Sequence, residues 1–355
     1  MIGFIPSQDA GEAARTLATL IKSFLEPLLF GGRIQRLQQM YSACTTYCPP
    51  PWNSPGLHVT PEISYQSEHW LPLDGLLPPF YYFYRQSLTF PPVLSSSPFA
   101  GAVSWSGIVS RFPPFLSHFV NPALLLEQLL KDSKLREKFL FWSFMPERFY
   151  GGGSDRYPKQ AAAIGDWLRC RVGRVRCLDA ACGDGAASYG LARLMLEQGW
   201  SPERFEIEGW TLDPLEAWAA AHATFPHNPQ HEAVFRDWVA ALFTASADRS
   251  MLFRAVDLTV LPVGSVSCEN DRFDLIVCNG LLGGPIINRI QVVRRIVSSL
   301  SALLAPGGML LVADHFHGGW KKNIPGEILG DALKACGLAV ADAGEGLCAT
   351  NPESG

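Results

Sequence analysis

Apolar residues recur at helical spacing near the start of the chain, where Leu17, Leu20, Ile21, Phe24 and Leu28 form one stripe through residues 9–30. Gly31 and Gly32 are expected to stop that helix, and a second helical pattern over 34–47 closes at Pro49, Pro50 and Pro51, predicting a helical hairpin. Residues 52–122 are dense in proline and aromatics and show no clean period. Asn121 is a plausible cap for a helix over 123–144, with Leu124, Leu125, Leu129, Leu130 and Leu135 on one side. A polar, glycine-rich stretch over 151–160 then precedes a helix over 161–170. Beyond it the pattern changes. Short apolar runs over 175–179, 205–214, 251–256, 272–280 and 309–314 read as strands, and the helical patterns over 187–197, 215–225, 286–304 and 325–336 alternate with them. Residues 227–250, helical in their middle from 232 to 243, are an insertion in that alternation, and strands around 338–341 and 346–350 close the chain. Such an order predicts an α/β, Rossmann-like sheet with helices on both faces, preceded by a mainly helical, proline- and aromatic-rich N-terminal domain. The boundary falls near the glycine stretch, giving domains 1–150 and 151–355.

Length and composition narrow the class. At 355 residues, 48% hydrophobic and 17% charged, the chain is long enough for two domains with a substantial core. A net charge of −4 gives no support to a nucleic-acid partner. Nine cysteines without regular spacing, and no secretory pattern at the N-terminus, lead us to expect reduced thiols in a cytoplasmic protein. Cys44 and Cys48 lack a second pair of ligands, so no metal is expected. The uncharged stretch between Arg85 and Arg111 is long enough to span a bilayer, but Pro91, Pro92, Pro98 and the run Ser95 to Ser97 argue for a buried or interfacial loop and against membrane insertion. Aromatic runs such as the one over 80–84 suit either a domain cap or the lining of an apolar substrate cavity, and the front domain is expected to act as a substrate cap or, alternatively, a homodimer surface.

Candidate chemistry concentrates where the strand over 175–179 ends. Asp179 stands at the strand tip, and Gly183 and Gly185 break the chain before the next helix starts, so its free N–H groups point at whatever fills the crevice. A dinucleotide fingerprint would need a third glycine, whereas Ala186, Ala187 and Ser188 follow. The run Leu178-Asp179-Ala180-Ala181-Cys182-Gly183-Asp184-Gly185 instead resembles the first motif of the class I S-adenosylmethionine (SAM)-dependent methyltransferases, departing from it at Ala181, where the family usually has glycine. The resemblance covers about residues 172–351 and extends to the Phe273-Asp274-Leu275-Ile276-Val277 strand and to Pro306-Gly307-Gly308 before the next one. Within the class, the spacing from Ala180 to Ala192 and the run Asp155-Arg156-Tyr157 are similar to the chemotaxis-receptor glutamate methyltransferases, although Gly183, Asp184, Ala186 and Ala187 differ from their pattern.

The resemblance implies a SAM cofactor and a set of residues to hold it. Asp179, Ala180, Ala181, Cys182, Gly183 and Gly185 form the first loop. The acid that accepts from the ribose hydroxyls in the family falls on Thr211 here; Asp213 substitutes if the strand tip is shifted, or else only caps the helix that begins at Pro214. Leu212 would supply apolar surface beside the adenine, Asp257 would accept from its amine, and the N–H of Leu258 would address a ring nitrogen. Asn279 ends a strand at the crevice, and Arg156 is a candidate for the methionine carboxylate. Methyl transfer needs alignment and exclusion of water, with a base only for some acceptors. His315 and His317, after the strand over 309–314, are the candidate catalytic bases, and a metal would need a third ligand that is not visible. We therefore expect a SAM-dependent methyltransferase acting on a small-molecule O or N acceptor. A protein carboxyl methyltransferase and a non-catalytic SAM-fold scaffold are the alternatives, and a nicotinamide oxidoreductase comes last.

Overall fold

The computed structural model describes residues 2–47, 54–145, 156–261, 272–284, 287–313 and 324–352. The chain divides into two compact units, one of residues 14–146 and one of residues 1–13 with 147–355.

The front unit is helical and built around aromatic side chains. Helix α1 (Ala10–Leu20) ends sooner than its apolar stripe, because Ile21 pairs with Leu88 in an isolated bridge and Lys22 N–H donates to the carbonyl of Ser87. Gly31 and Gly32, expected to stop a helix, instead open α2 (Gly31–Tyr47) directly after a short turn at Pro27–Phe30. The aperiodic stretch holds α3 (Pro61–Trp70), α4 (Leu73–Ser87) and the short α5 (Trp105–Val109). Pro78 and Pro79 lie inside α4, each with no amide hydrogen to give. Burial of Leu76, Phe80, Phe83 and Tyr84 along the helix outweighs that loss, which is why a sequence pattern weighing proline as a breaker misses it. The single helix expected over 123–144 is two, α6 (Pro122–Lys131) and α7 (Ser133–Phe144). Asp132 separates them, its Oδ1 accepting the N–H groups of Lys134 and Leu135 as a new cap. Asn121 caps α6 through the Ala123 N–H at 2.9 Å.

The second unit is an α/β sheet. Its helices are α8 (Pro158–Arg169), α9 (Ala186–Glu197), α10 (Pro214–His222), α11 (Pro229–Thr244), α12 (Ile290–Leu303) and α13 (Gly326–Ala335). The strands are β1 (Ile2–Phe4), β2 (Val175–Asp179), β3 (Phe205–Thr211), β4 (Met251–Ala255), β5 (Phe273–Asn279), β6 (Leu304–Ala313), β7 (Ala339–Asp342) and β8 (Leu347–Thr350). Among the described residues they form one sheet in the order β1-β4-β3-β2-β5-β6-β8-β7. Strands β4, β3, β2, β5 and β6 run parallel, and β8 pairs antiparallel with both β6 and β7. The sequence pattern did not predict β1, which pairs antiparallel with β4 through Ile2 to Phe4 and puts the N-terminal segment in this unit.

The strand order places the crevice. From β2 the chain winds outward through β3 and β4, then returns to β5 on the other side of β2, so the order reverses between β2 and β5. Alternation along β5 sends Ile276 and Cys278 into a core with Val293, Ile296 and Val297 of α12 and Leu333 of α13. Val277, facing the other way, joins α8 and α9 at a cleft.

Candidate functional site

Strand β2 ends on Asp179, and the loop that follows is pinned to both neighbouring strands: Ala180 N–H donates to the carbonyl of Val277 and Cys182 N–H to that of Trp210, at 2.8 and 2.9 Å. Gly185 closes the loop at φ +87° as the residue before α9. A side chain there would be strained, and its Cβ would come within 2.9 Å of Ala220 Cβ. Gly209 in β3 is a second constraint, for a Cβ at that position would lie 2.6 Å from the Phe253 ring and 2.9 Å from Ser188 Oγ. The loop, α9 and the ring of Phe253 thus close on one another because two positions carry no side chain.

Asp179 is 3% exposed; its Oδ2 accepts from Ser188 Oγ at 2.8 Å and its Oδ1 from the Ala181 N–H at 3.4 Å. Burial pushes its carboxyl up to about 6 despite those two bonds. It lines a cleft with about 480 Å³ of empty space, part of it open to solvent, together with Tyr157, Gln160 and Ile164 from the α8 side and Leu191 and Leu194 of α9. Asn279 lines the same cleft from β5. Its amide exchanges two hydrogen bonds with Gln160, Asn279 Nδ2 donating at 2.8 Å and Gln160 Nε2 donating back at 3.3 Å. Gln160 is itself fixed by the start of α8, where the N–H groups of Lys159 and Gln160 donate to Glu345 Oε2 at 2.8 and 3.2 Å.

Beyond β3 a second acidic group gathers. Asp213 caps α10, with Oδ1 accepting the Leu215 N–H at 2.8 Å, while Oδ2 is buried and has no hydrogen-bond partner among the described residues. Burial pushes Asp213 up to about 7. Thr211 donates to Glu216 in the first turn of α10. Burial, with the nearby charge of Asp213 adding to it, takes Glu216 up to about 8. These groups pay for burial with protonation unless a ligand brings donors or positive charge.

The remaining predicted residues are placed as follows. Ala180 and Cys182 are buried in the loop, and Gly183 has φ +53°. Burial, with Asp179, Glu216 and Asp184 nearby, drives the Cys182 thiol well up, so it stays protonated and has no nucleophilic character. Leu212 is partly buried between Thr211 and Asp213. Asp257 uses Oδ1 to accept from the N–H and the hydroxyl of Thr259, at 2.8 and 2.6 Å, and Leu258 is buried. Arg156 is partly buried one residue before Tyr157. His315 and His317 lie outside the described residues. The sequence pattern offered no sign of Gln160 or Glu216, because each acts through a partner brought near by folding; a polar residue in the first turn of α9 was the only trace of Ser188.

No group of three or more His, Cys, Asp or Glu among the described residues could hold a metal ion, and no helix among them is long and apolar enough to cross a membrane. Comparison with known proteins finds a family model described as a methyltransferase domain matching residues 144–325. A search of curated proteins finds no match. Among solved structures, the chain is similar to SAM-bound CalS10, an amino pentose methyltransferase from Micromonospora echinaspora involved in calicheamicin biosynthesis, at 24% identity over 44% of this chain and 50% of that one, with a TM-score of 0.28. It thus spans half the length of that protein. The N-methyltransferase NodS from Bradyrhizobium japonicum WM9, in complex with S-adenosyl-L-homocysteine (SAH), matches at 15% identity over 62% of this chain and 100% of that one, with a TM-score of 0.37.

Proposed function

The chain belongs to the methyltransferase-domain family, with SAM as its cofactor, and from that premise we propose that it methylates an oxygen or nitrogen of a small-molecule acceptor. The observation that carries this reading is the cleft at the point where strand order reverses, with Asp179 and Asn279 on its polar side and Ile164, Leu191 and Leu194 on its apolar side. When bound, the cofactor supplies a methyl group on a positively charged sulfur.

The chain's residues fit that group. Asp213 Oδ2 is a buried acceptor without a donor among the described residues, and Glu216 stands beside it, so the two are suited to ribose hydroxyls. Asp179 and Asn279, an acceptor and an amide with both donor and acceptor, are suited to the polar end of the methionine part. Ala181, Cys182, Gly183 and Gly185 shape the loop against it, and Leu212, Asp257 and Leu258 are the proposed adenine side. Arg156 is the proposed partner of the carboxylate. The protein's share in the reaction is alignment and exclusion of water, since displacement at a sulfonium requires no acid catalyst. For residues 14–146 we propose acceptor capping, with dimerisation as the alternative that sedimentation velocity decides.

Calorimetric titration with SAM and SAH tests the cofactor reading, and the Asp179→Ala variant tests the site. Micromolar binding by the wild type that is lost in the variant supports both, and radiolabelled methyl transfer into a small-molecule panel then identifies the acceptor. Absence of binding by the wild type would sink the reading.

A further inference from the structure

The insertion over 227–250 carries an imidazole to the loop between the two glycines. Asn228 caps α11, its Oδ1 accepting the His231 N–H at 3.1 Å, so the histidine backbone is fixed in the first helical turn. The His231 ring packs edge-on against Phe225 and lies beside Phe235, with centroids 4.4 and 5.6 Å away. Its Nε2 reaches Asp184 Oδ2 at 3.3 Å. Asp184 is 1% exposed, and its Oδ1 accepts the N–H of Ala186, the first residue of α9, at 3.2 Å. A single carboxylate therefore links the inserted helix to the turn that opens the cofactor crevice.

A buried carboxylate in this position needs a counter-group, and its surroundings are acidic. The charge of Asp184 is felt at Asp179, Cys182 and Glu216. On α11 itself Glu232 and Arg236 pair at 3.7 Å, and Arg236 also donates to the carbonyl of Ala223. Asp248, in the turn after α11, acts on Tyr189, while His227 precedes α11 and His222 ends α10. Among these groups the contact with Asp184 is that of His231 Nε2.

We propose that His231 is a positioning residue for cofactor binding: through Asp184 it holds the Gly183 to Gly185 turn and the start of α9 in the conformation that receives SAM. The inference rests on the SAM-binding reading above.

Calorimetric titration of the full chain with SAH at one fixed pH compares the wild type with His231→Gln and His231→Ala. His231→Ala is expected to bind roughly tenfold more weakly. His231→Gln keeps a donor on the same side, so it should recover part of that affinity. Without ligand, the Ala186 amide should exchange its hydrogen faster in both variants, and thermal melts establish that each is folded. If His231→Ala does not fold, the affinity and Ala186 exchange of His231→Gln decide. Unchanged SAH affinity and unchanged Ala186 exchange would overturn the inference while leaving the SAM reading standing. A wild type that binds no SAH would overturn both.

Discussion

The aromatic core of the front unit and the strand ends of the sheet unit bury polar groups in different ways. In the front unit Tyr84 donates to Ser143 Oγ at 2.9 Å, Ser143 Oγ donates in turn to the carbonyl of Phe139 at 2.7 Å, and Trp105 Nε1 donates to that of Val120 at 2.7 Å. Arg136, 2% exposed, spends its guanidinium on the carbonyls of Leu129 and Ser23. At the strand ends, Asp213 Oδ2 has no such partner among the described residues, and Asp179, Asp213 and Glu216 are all held above the ordinary carboxylate range. The front unit meets most of its buried polar atoms internally, Ser87 Oγ and Arg136 Nε being left over among the described residues, whereas the crevice leaves acidic acceptors for something else to satisfy.

The sharpest way to break this comparison is to remove an anchor from the first region. Phe80 is fully buried and packs on Phe99, Trp105 and Phe139, so Phe80→Ala should cost about 3–5 kcal/mol in denaturant unfolding. In the crevice, Asp179→Asn should instead weaken SAH binding by about 3 kcal/mol while leaving stability unchanged or raised, because a neutral amide replaces a desolvated acid. Calorimetry and a melt on the same sample separate the two outcomes. Equal losses of stability in both variants would erase the distinction.

A pH series sharpens it further. Asp179, Asp213 and Glu216 keep protons in the folded chain to about 6, 7 and 8, whereas unfolded carboxylates release theirs near about 4. The folded state binds more protons between those values, so this contribution to stability is whole below about pH 4 and is lost as pH rises through about 6 to 8. Melting temperature of the ligand-free protein should fall over that window, and Asp213→Asn should flatten the slope. The smallest effect belongs to the front unit again: Tyr84→Phe removes one buried hydrogen bond and should cost about 1 kcal/mol with no change in SAH affinity.

Some of this was legible without coordinates. The run from Val175 to Gly185 announced strand, turn and helix because two periods meet at glycines there, and Asp179 and Asn279 do line the cleft. Thr211 looked like a missing acid; its hydroxyl is instead bonded to Glu216, five residues on, which only the first turn of α10 brings back to the strand tip. The front half resisted reading for a different reason. Pro78 and Pro79 sit inside α4, where packing against distant aromatics overrides local preference, and the three-residue strand β1 is too short to carry a period.

The sequence by itself determined the alternation of strands and helices, the glycine turn and the family, since each follows from the spacing of neighbours along the chain. Tertiary structure decided which acids stand together, that Gln160 clasps Asn279, that β1 joins β4, and that His231 of an inserted helix reaches Asp184. Those partners are separated in sequence by as many as 250 or so residues, and burial, which raises Asp179, Asp213 and Glu216, is a property of the packed interior alone.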